Sequence, residues 1–328
     1  MNAIQPDLDQ IHAAQDRIAP YAHRTPVVTS QTLDKMSGAA LFFKCENVQK
    51  GGAFKFRGAA NTVLSLSEEK AKRGVATHSS GNHAGALALA ASMRGIPAHI
   101  VMPSNAPQVK VAAVRNYGGQ ITFCQPSLAS REETADRVIA KTGATLVHPY
   151  NDVRIIAGQG TAVLELLEDA GDLDAVLTPV GGGGLLSGTA IAAKSVNPSI
   201  RVVGCEPEQA DDAFRSKQAG RIIPVQNPDT IADGLRTSLG EFTFPVIRDV
   251  VDEIVLVSEE AIVQAMRLAF ERMKLVIETS SAVPLAAVLS GKLNVKGKRV
   301  GIILSGGNVD LSVFWAMLEG RASVAAAS

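Results

Sequence analysis

The sequence predicts an α/β protein of two lobes, each a mainly parallel sheet flanked by helices, with a cleft between them. Three observations carry this expectation. From Gly74 onward, short β-branched runs alternate with segments of helical apolar spacing, the rhythm of strands joined by crossover helices. The alternation falls into two series, one over 74–151 and one after it. Finally, the run Gly181-Gly182-Gly183-Gly184 joins an apolar stretch at 175–180 to a helix-like segment. Such strand-to-helix turns are where open parallel sheets hold ligands.

Taken in order, Leu8, Ile11 and Ile18 have the spacing of one helix face, and Leu41-Phe42-Phe43-Lys44-Cys45 reads as a strand. The first series predicts strands near 75–79, 97–102, 120–124 and 145–148, separated by helices near 83–94, 106–117 and 128–142. The second predicts a helix at 154–169, a strand at 174–180, a helix at 185–195, a strand at 200–205 and a helix at 210–219. A strand at 252–257, helices at 258–274 and 281–290, and a strand at 299–304 complete it. The segment 222–244 carries prolines and glycines and reads as surface loop around a short functional turn at Ala232-Asp233-Gly234.

Composition narrows the function classes. With 328 residues, 46% of them hydrophobic and 20% charged, the chain is long enough for two packed lobes. Lys+Arg and Asp+Glu balance at 32 each, so no global field recruits nucleic acid or an anionic membrane. The N-terminus lacks a basic region followed by an apolar core, and no apolar run reaches membrane-spanning length, which makes a cytoplasmic location the expectation. Cys45, Cys124 and Cys205 are odd in number and widely spaced, as expected of reduced buried thiols.

Four consecutive glycines suit backbone that must approach a ligand or adopt positive φ, and unpaired N–H groups at a helix start make an anion cradle. A dinucleotide is the obvious ligand, and Glu206 ends the next strand where a ribose-binding acid would lie. The spacing does not fit. Counting from Gly181 or Gly182 puts the third glycine of that fingerprint on Leu186 or Ser187, and no Lys-Ser or Lys-Thr pair follows for a nucleoside triphosphate. A smaller phosphorylated ligand remains. Ser79-Ser80-Gly81-Asn82-His83 closes a strand and opens a helix, a second anion-binding terminus, and Ser305-Gly306-Gly307-Asn308 closes the last strand. Lys55 lies between Phe54 and Phe56; a lysine against apolar walls has a depressed pKa and becomes a nucleophilic amine able to condense with a carbonyl. Singly, Lys55 reads as a surface lysine, Ser80 and Ser305 as helix caps and His83 as a structural hydrogen-bonder.

Together these blocks, with Cys45-Glu46-Asn47, Ala157-Gly158-Gln159-Gly160-Thr161 and Ala232-Asp233-Gly234, resemble the serine/threonine dehydratase and serine racemase family. These are pyridoxal-phosphate enzymes of the tryptophan-synthase-β fold type (PLP fold type II), and the resemblance covers nearly the whole chain in order. It implies a large cofactor-binding domain, 1–73 plus 152–328, and a small mobile domain, 74–151. It also implies that Lys55 carries pyridoxal 5'-phosphate, Phe54 packs on its ring and Asn82 bonds the ring hydroxyl. Gly181, Gly182, Gly183, Gly184 and Leu185 hold the phosphate, and Ser305 faces the pyridine nitrogen. A serine hydroxyl does not keep that nitrogen protonated, so the ring is a weaker electron sink and β-elimination becomes the preferred exit. Lys55 then removes the α-proton of a small amino acid whose carboxylate rests on Ser79, Ser80, Gly81, Asn82 and His83.

Ser80, on the opposite face in this family, supplies a proton from the far side, so racemisation is the same-site alternative. A β-replacement reaction of the cysteine-synthase type is a second alternative. Glu206, the backbone carbonyl of Ala210 and Asp212 match the family's site for Mg²⁺, with Ca²⁺ or Mn²⁺ as substitutes, all hard ions suited to oxygen donors. Ala53 and Tyr150 depart from the family pattern. Arg131 matches a family arginine able to reach a carboxylate, which adds 3-hydroxyaspartate to serine and threonine as expected substrates. A homodimer is expected.

Overall fold

The computed structural model describes residues 5–106 and 108–319. Its strands are β1 (Val27–Val28), β2 (Ala40–Cys45), β3 (Val75–His78), β4 (Ala98–Pro103), β5 (Gln120–Cys124), β6 (Thr145–Leu146), β7 (Ala175–Pro179), β8 (Arg201–Pro207), β9 (Glu253–Val257) and β10 (Arg299–Leu304). They form two sheets. One has the order β1-β2-β10-β7-β8-β9, the other β5-β4-β3-β6. All pairs are parallel except β1 against β2. In the larger sheet Ile302 pairs with Phe43, and Thr178 with Gly204. The strand β7, which leads to the glycine run, is buried at every residue, as a central parallel strand covered on both faces must be.

Differences from the sequence expectations have local causes. The strand expected over 145–148 ends at Leu146 because His148 Nδ1 accepts the backbone N–H groups of Tyr150 and Asn151, at 3.3 and 2.9 Å, and turns the chain. The helix expected over 258–274 is α-helical only over Glu259–Leu268; a π-turn, Ala269–Met273, follows and stops at Lys274, whose φ is 61°. The helix expected from 210 starts at Asp212, after a turn in which Ala210 N–H donates to the Pro207 carbonyl. Inside the expected loop 222–244 lie a short turn, Asp233–Leu235, and the beginning of a helix, Thr243–Asp249.

The helix Lys55–Leu64 is not among the elements expected from the sequence; Phe56 through Val63 are all buried, the polar Arg57, Asn61 and Thr62 included. It packs between Val153–Ala170 and Asn82–Arg94. Its crossing with Val153–Ala170 is set by two glycines: a Cβ on Gly158 would lie 2.6 Å from the Gly58 Cα, and one on Gly58 would lie 2.5 Å from Gln159 Nε2. Close backbone approach there fixes where the helix begins, and hence where Lys55 stands.

Beneath that helix lies a buried charge cluster. Arg57 donates to both oxygens of Glu46, each at 2.8 Å, and to both of Glu165, each at 2.7 Å. Lys44 Nζ reaches Glu165 at 2.6 Å and Thr25 O at 2.7 Å, and Thr25 Oγ1 donates to Glu46 at 2.6 Å. Two cations and two anions cancel, and each carboxylate receives charged donors. Burial works against the Glu165 charge, but the bonds from Arg57 and Lys44 outweigh it and hold the carboxyl below its usual range.

Candidate active site

Helix starts are of two kinds, capped by a side chain and uncapped. The helices beginning at Leu8, Gln31, Glu68, Leu128, Val153, Glu259 and Leu311 are each capped by the side chain of the preceding Asp or Ser. Those beginning at Lys55, Asn82, Gly184, Asp212, Thr243 and Thr279 have no side-chain cap. Uncapped starts leave N–H groups and the positive helix end free for an anion.

Four of them, at Lys55, Asn82, Gly184 and Thr279, border one cavity of about 410 Å³. Phe54, Lys55, Ser79, Ser80, Gly81, Asn82, His83, Arg131, the residues 181–185 and Ser305 all line it. The structure therefore brings together every cofactor- and substrate-site residue expected from the sequence. The cation candidates Glu206, Ala210 and Asp212 lie outside this lining. A neighbouring cavity of about 570 Å³ shares Gly81, Asn82, Lys110, Asp233 and Glu278 as a wall, but neither Lys55 nor the glycine run borders it. The chemistry belongs to the smaller space.

Lys55 stands in the first turn of its helix, with Nζ 3.0 Å from the Pro149 carbonyl and 5.1 Å from the centre of the Phe54 ring. Burial lowers its amine to about 8, against the opposing pull of Glu278. The preceding Phe54 is held by its N–H donating to the Ser305 carbonyl at 2.9 Å, and Ala53 bridges Gly306. Those two contacts tie the Lys55 turn to the end of β10.

The glycine run is a cup that only glycine can form. Gly183 has φ 87°, and a Cβ on Gly182 would lie 2.3 Å from the Tyr150 ring. At Gly181 a Cβ would meet the Gly234 carbonyl at 2.9 Å. Thr243 Oγ1 pins the cup by donating to Gly182 O at 2.8 Å. A phosphate group fits this uncapped cup, and an aldehyde-bearing cofactor fits the depressed amine of Lys55.

His83 is buried, and its Nε2 lies 3.1 Å from the Val147 carbonyl. Burial, then Lys55, lowers its pKa to about 3, so the ring is neutral, with Nε2–H as donor. Arg131 lines the cavity, and its buried Nε has no hydrogen-bond partner. Burial raises the Tyr150 phenol to about 12, so it remains a neutral hydroxyl beside the cup.

Sequence reasoning missed Glu278. It is 5% exposed, lines the cavity and accepts Asn82 Nδ2 at 2.8 and 3.1 Å on its two oxygens. Burial, then the Asp233 carboxylate, raises it to about 7. Its only signal in the sequence is an acid immediately before the apolar helix Thr279–Leu289, which reads as an ordinary helix start.

Glu206 and Asp212 form a second feature near the cup. Both are fully buried. Glu206 accepts Ala213 N–H and Phe214 N–H at 3.0 and 2.9 Å; Asp212 Oδ2 accepts Leu239 N–H at 3.3 Å, and its Oδ1 has no partner. Burial, then the facing Asp212, pushes Glu206 well above the ordinary range, and burial raises Asp212 to about 7. No cluster of three or more His, Cys, Asp or Glu side chains suited to a metal occurs among the described residues. The orphaned buried Oδ1 of Asp212, with the Glu206 carboxylate beside it, fits a hard cation.

Fold and site together define a pyridoxal-phosphate enzyme, and comparison with known proteins agrees. The chain belongs to the family of pyridoxal-phosphate dependent enzymes, whose model matches residues 18–306. It is 55% identical over 314 residues to a serine racemase of Arabidopsis thaliana, covering 94% of this chain and 95% of that protein. It is 53% identical over 306 residues to a beta-hydroxyaspartate dehydratase of Paracoccus denitrificans, covering 93% and 97%. The structure of maize serine racemase superposes with a TM-score of 0.93 at 51% identity, covering 97% of this chain and 98% of that one. Among the described residues no helix is long and apolar enough to cross a membrane.

Proposed function

We propose that this chain is a dehydratase that converts small L-3-hydroxy amino acids, namely serine, threonine or 3-hydroxyaspartate, to the 2-oxo acid and ammonia by β-elimination. One observation carries the reading: Lys55, with its depressed amine, shares a single cavity with the glycine cup and the unpartnered Arg131. When bound, pyridoxal phosphate supplies an electron sink for the charge left at the substrate Cα.

In this reading Lys55 would hold the cofactor and, once free, take the α-proton; an amine near 8 is well matched to that task at neutral pH. The residues 181–185 would hold the phosphate, and Phe54, Asn82 and Ser305 would hold the ring. Backbone N–H groups of the 79–83 turn take the substrate α-carboxylate. Arg131 is free for a second carboxylate, which 3-hydroxyaspartate has and serine lacks. The β-hydroxyl leaves with a proton as water, and the enamine so formed tautomerises and takes up water to release ammonia.

Racemisation is the second reading. It is favoured by Ser80, whose position on the lining of the Lys55 cavity suits a proton donor from the other face, and by the racemase names of close relatives. The Glu206 and Asp212 carboxylates with the Ala210 carbonyl would hold Mg²⁺, or Ca²⁺ or Mn²⁺. That ion would act through structure: Leu239, bonded to Asp212, packs where a Gly183 Cβ would lie, 3.0 Å away. Exposed Val48, Val276, Leu311 and Trp315 support a homodimer. Residues 74–151 would close on the rest through polar ties such as Lys110–Asp233, 2.5 Å.

Borohydride treatment of the yellow holoenzyme should fix the cofactor covalently on Lys55, and release of 2-oxo acid should be compared for L-serine, L-threonine and the 3-hydroxyaspartate isomers. A colourless protein that borohydride leaves unlabelled would refute the reading. Ser80→Ala should spare elimination of L-serine and abolish D-serine formation; equal loss of both removes the one-face role.

A further inference from the structure

An asparagine amide has nearly the same shape either way round, so only its neighbours decide whether oxygen or nitrogen faces a site. At Asn82 two neighbours decide it from opposite ends. The Gly51 carbonyl can only accept, and Asn308 Nδ2 lies 2.7 Å from it. That fixes Asn308, whose second hydrogen then reaches Asn82 Oδ1 at 3.0 Å. With its oxygen so engaged, Asn82 turns Nδ2 to Glu278, which receives it on both carboxylate oxygens.

Glu278 has little freedom to turn away. Its N–H donates to the Gly306 carbonyl at 3.0 Å, and its carboxylate fills the space that a Gly306 Cβ would occupy, at 2.4 Å. The relay runs between the sheets, since Asn82 follows β3 while Gly51, Glu278 and Asn308 belong to segments around β2 and β10. One Nδ2 hydrogen shared between the two Glu278 oxygens leaves the other for the cleft, which Asn82 lines.

We propose that Glu278 and Asn308 are positioning residues that orient the Asn82 amide so that it offers an N–H donor, and not its carbonyl, to the ring oxygen of the bound cofactor. This rests on the reading above in which Asn82 holds the ring, here at that oxygen. A donor at this place favours the deprotonated ring oxygen, because hydrogen bonding to a charged form lowers the pKa of the group that carries it. The charged groups facing Glu278 are Lys55, Lys110 and Asp233; burial and Asp233 oppose its ionisation, while the Asn82 bond and the two lysines favour the ionised, acceptor-only form.

The test is the absorption spectrum of the holoenzyme across neutral and mildly alkaline pH, with a melting curve for each protein. Asn308→Asp places an acceptor against both the Gly51 carbonyl and Asn82 Oδ1, which removes the bond that holds the amide, so Nδ2 should lose its fixed aim at the cleft. The long-wavelength band of the ring-oxygen anion should then fall about tenfold relative to the near-ultraviolet band, equivalent to one pKa unit. Asn82→Ala should do the same, and Glu278→Gln, which keeps one acceptor, should shift the ratio less. If Asn82→Ala shifts the ratio while Asn308→Asp and Glu278→Gln match the unsubstituted enzyme, the clamp is overturned and the Asn82 contact stands. If Asn82→Ala is also silent, the contact itself fails. Should Asn308→Asp not fold, the Glu278→Gln ratio alone decides: unchanged, it overturns the clamp.

Discussion

Two pairs of carboxylates are buried within the large sheet's surroundings, and they behave in opposite ways. Glu46 and Glu165 share Arg57 and Lys44, and Glu165 is held below the ordinary carboxylate range. Glu206 and Asp212 face each other with backbone N–H groups as donors, and both are raised. Burial is similar, so the difference lies in compensation. A buried charge with its counter-charge inside the chain is finished structure, whereas one without it is a site waiting for something from solution. In the cleft, Arg131, whose buried Nε has no partner, belongs with the second kind.

The largest effect should come from breaking the compensated pair. Arg57→Met leaves two buried carboxylates with only Lys44, and the loss should be about 3–5 kcal/mol in denaturant unfolding. A loss under about 1 kcal/mol would mean that the cluster hydrates freely and that the contrast is false.

Next comes the uncompensated pair. Asp212 has a folded value of about 7, above its ordinary 3.8, so its contribution favours the metal-free protein below the ordinary range and is lost as pH rises through 7. Mg²⁺ should therefore raise the melting temperature by on the order of 5 °C, more above pH 7 than below it. Asp212→Asn should stabilise the metal-free protein by about 1–2 kcal/mol and abolish the Mg²⁺ response. A melting temperature indifferent to both Mg²⁺ and EDTA removes the cation site.

Arg131→Ala tests the open cation of the cleft. The drop in kcat/KM on 3-hydroxyaspartate should exceed that on L-serine by about tenfold, the scale of one charged hydrogen bond. Equal drops would assign Arg131 to something common to both substrates. Smallest of all, Arg24 pairs with Glu168 and Asp169 at the exposed surface. Arg24→Ala should cost about 0.5 kcal/mol or less and vanish in salt, which calibrates the exposed end of the same comparison.

Much of the site could be read from the chain because its parts are contiguous. Lys55 beside Phe54, the 79–83 turn, the four glycines and Ser305 each announce themselves within a few residues, since a helix start and a glycine loop are local structures. Glu278 and Asn308 could not be recognised in that way. Each is an ordinary residue in its own segment and acquires meaning from a partner about 200 positions away in sequence. The helix Lys55–Leu64 likewise buries polar Arg57 and Asn61, whose partners Glu165 and Arg154 lie far off in the chain.

The sequence by itself determined the alternating α/β architecture, the cofactor class and the residues that line the cleft, because apolar period, glycine geometry and local motifs are properties of neighbouring residues. Only the tertiary structure decided which buried charges are matched. Glu165 meets Arg57 and Lys44, Asp212 keeps an unpartnered Oδ1, and Asn82 is held between Glu278 and Asn308. Electrostatic compensation depends on distance through space, and distance through space is what the fold supplies.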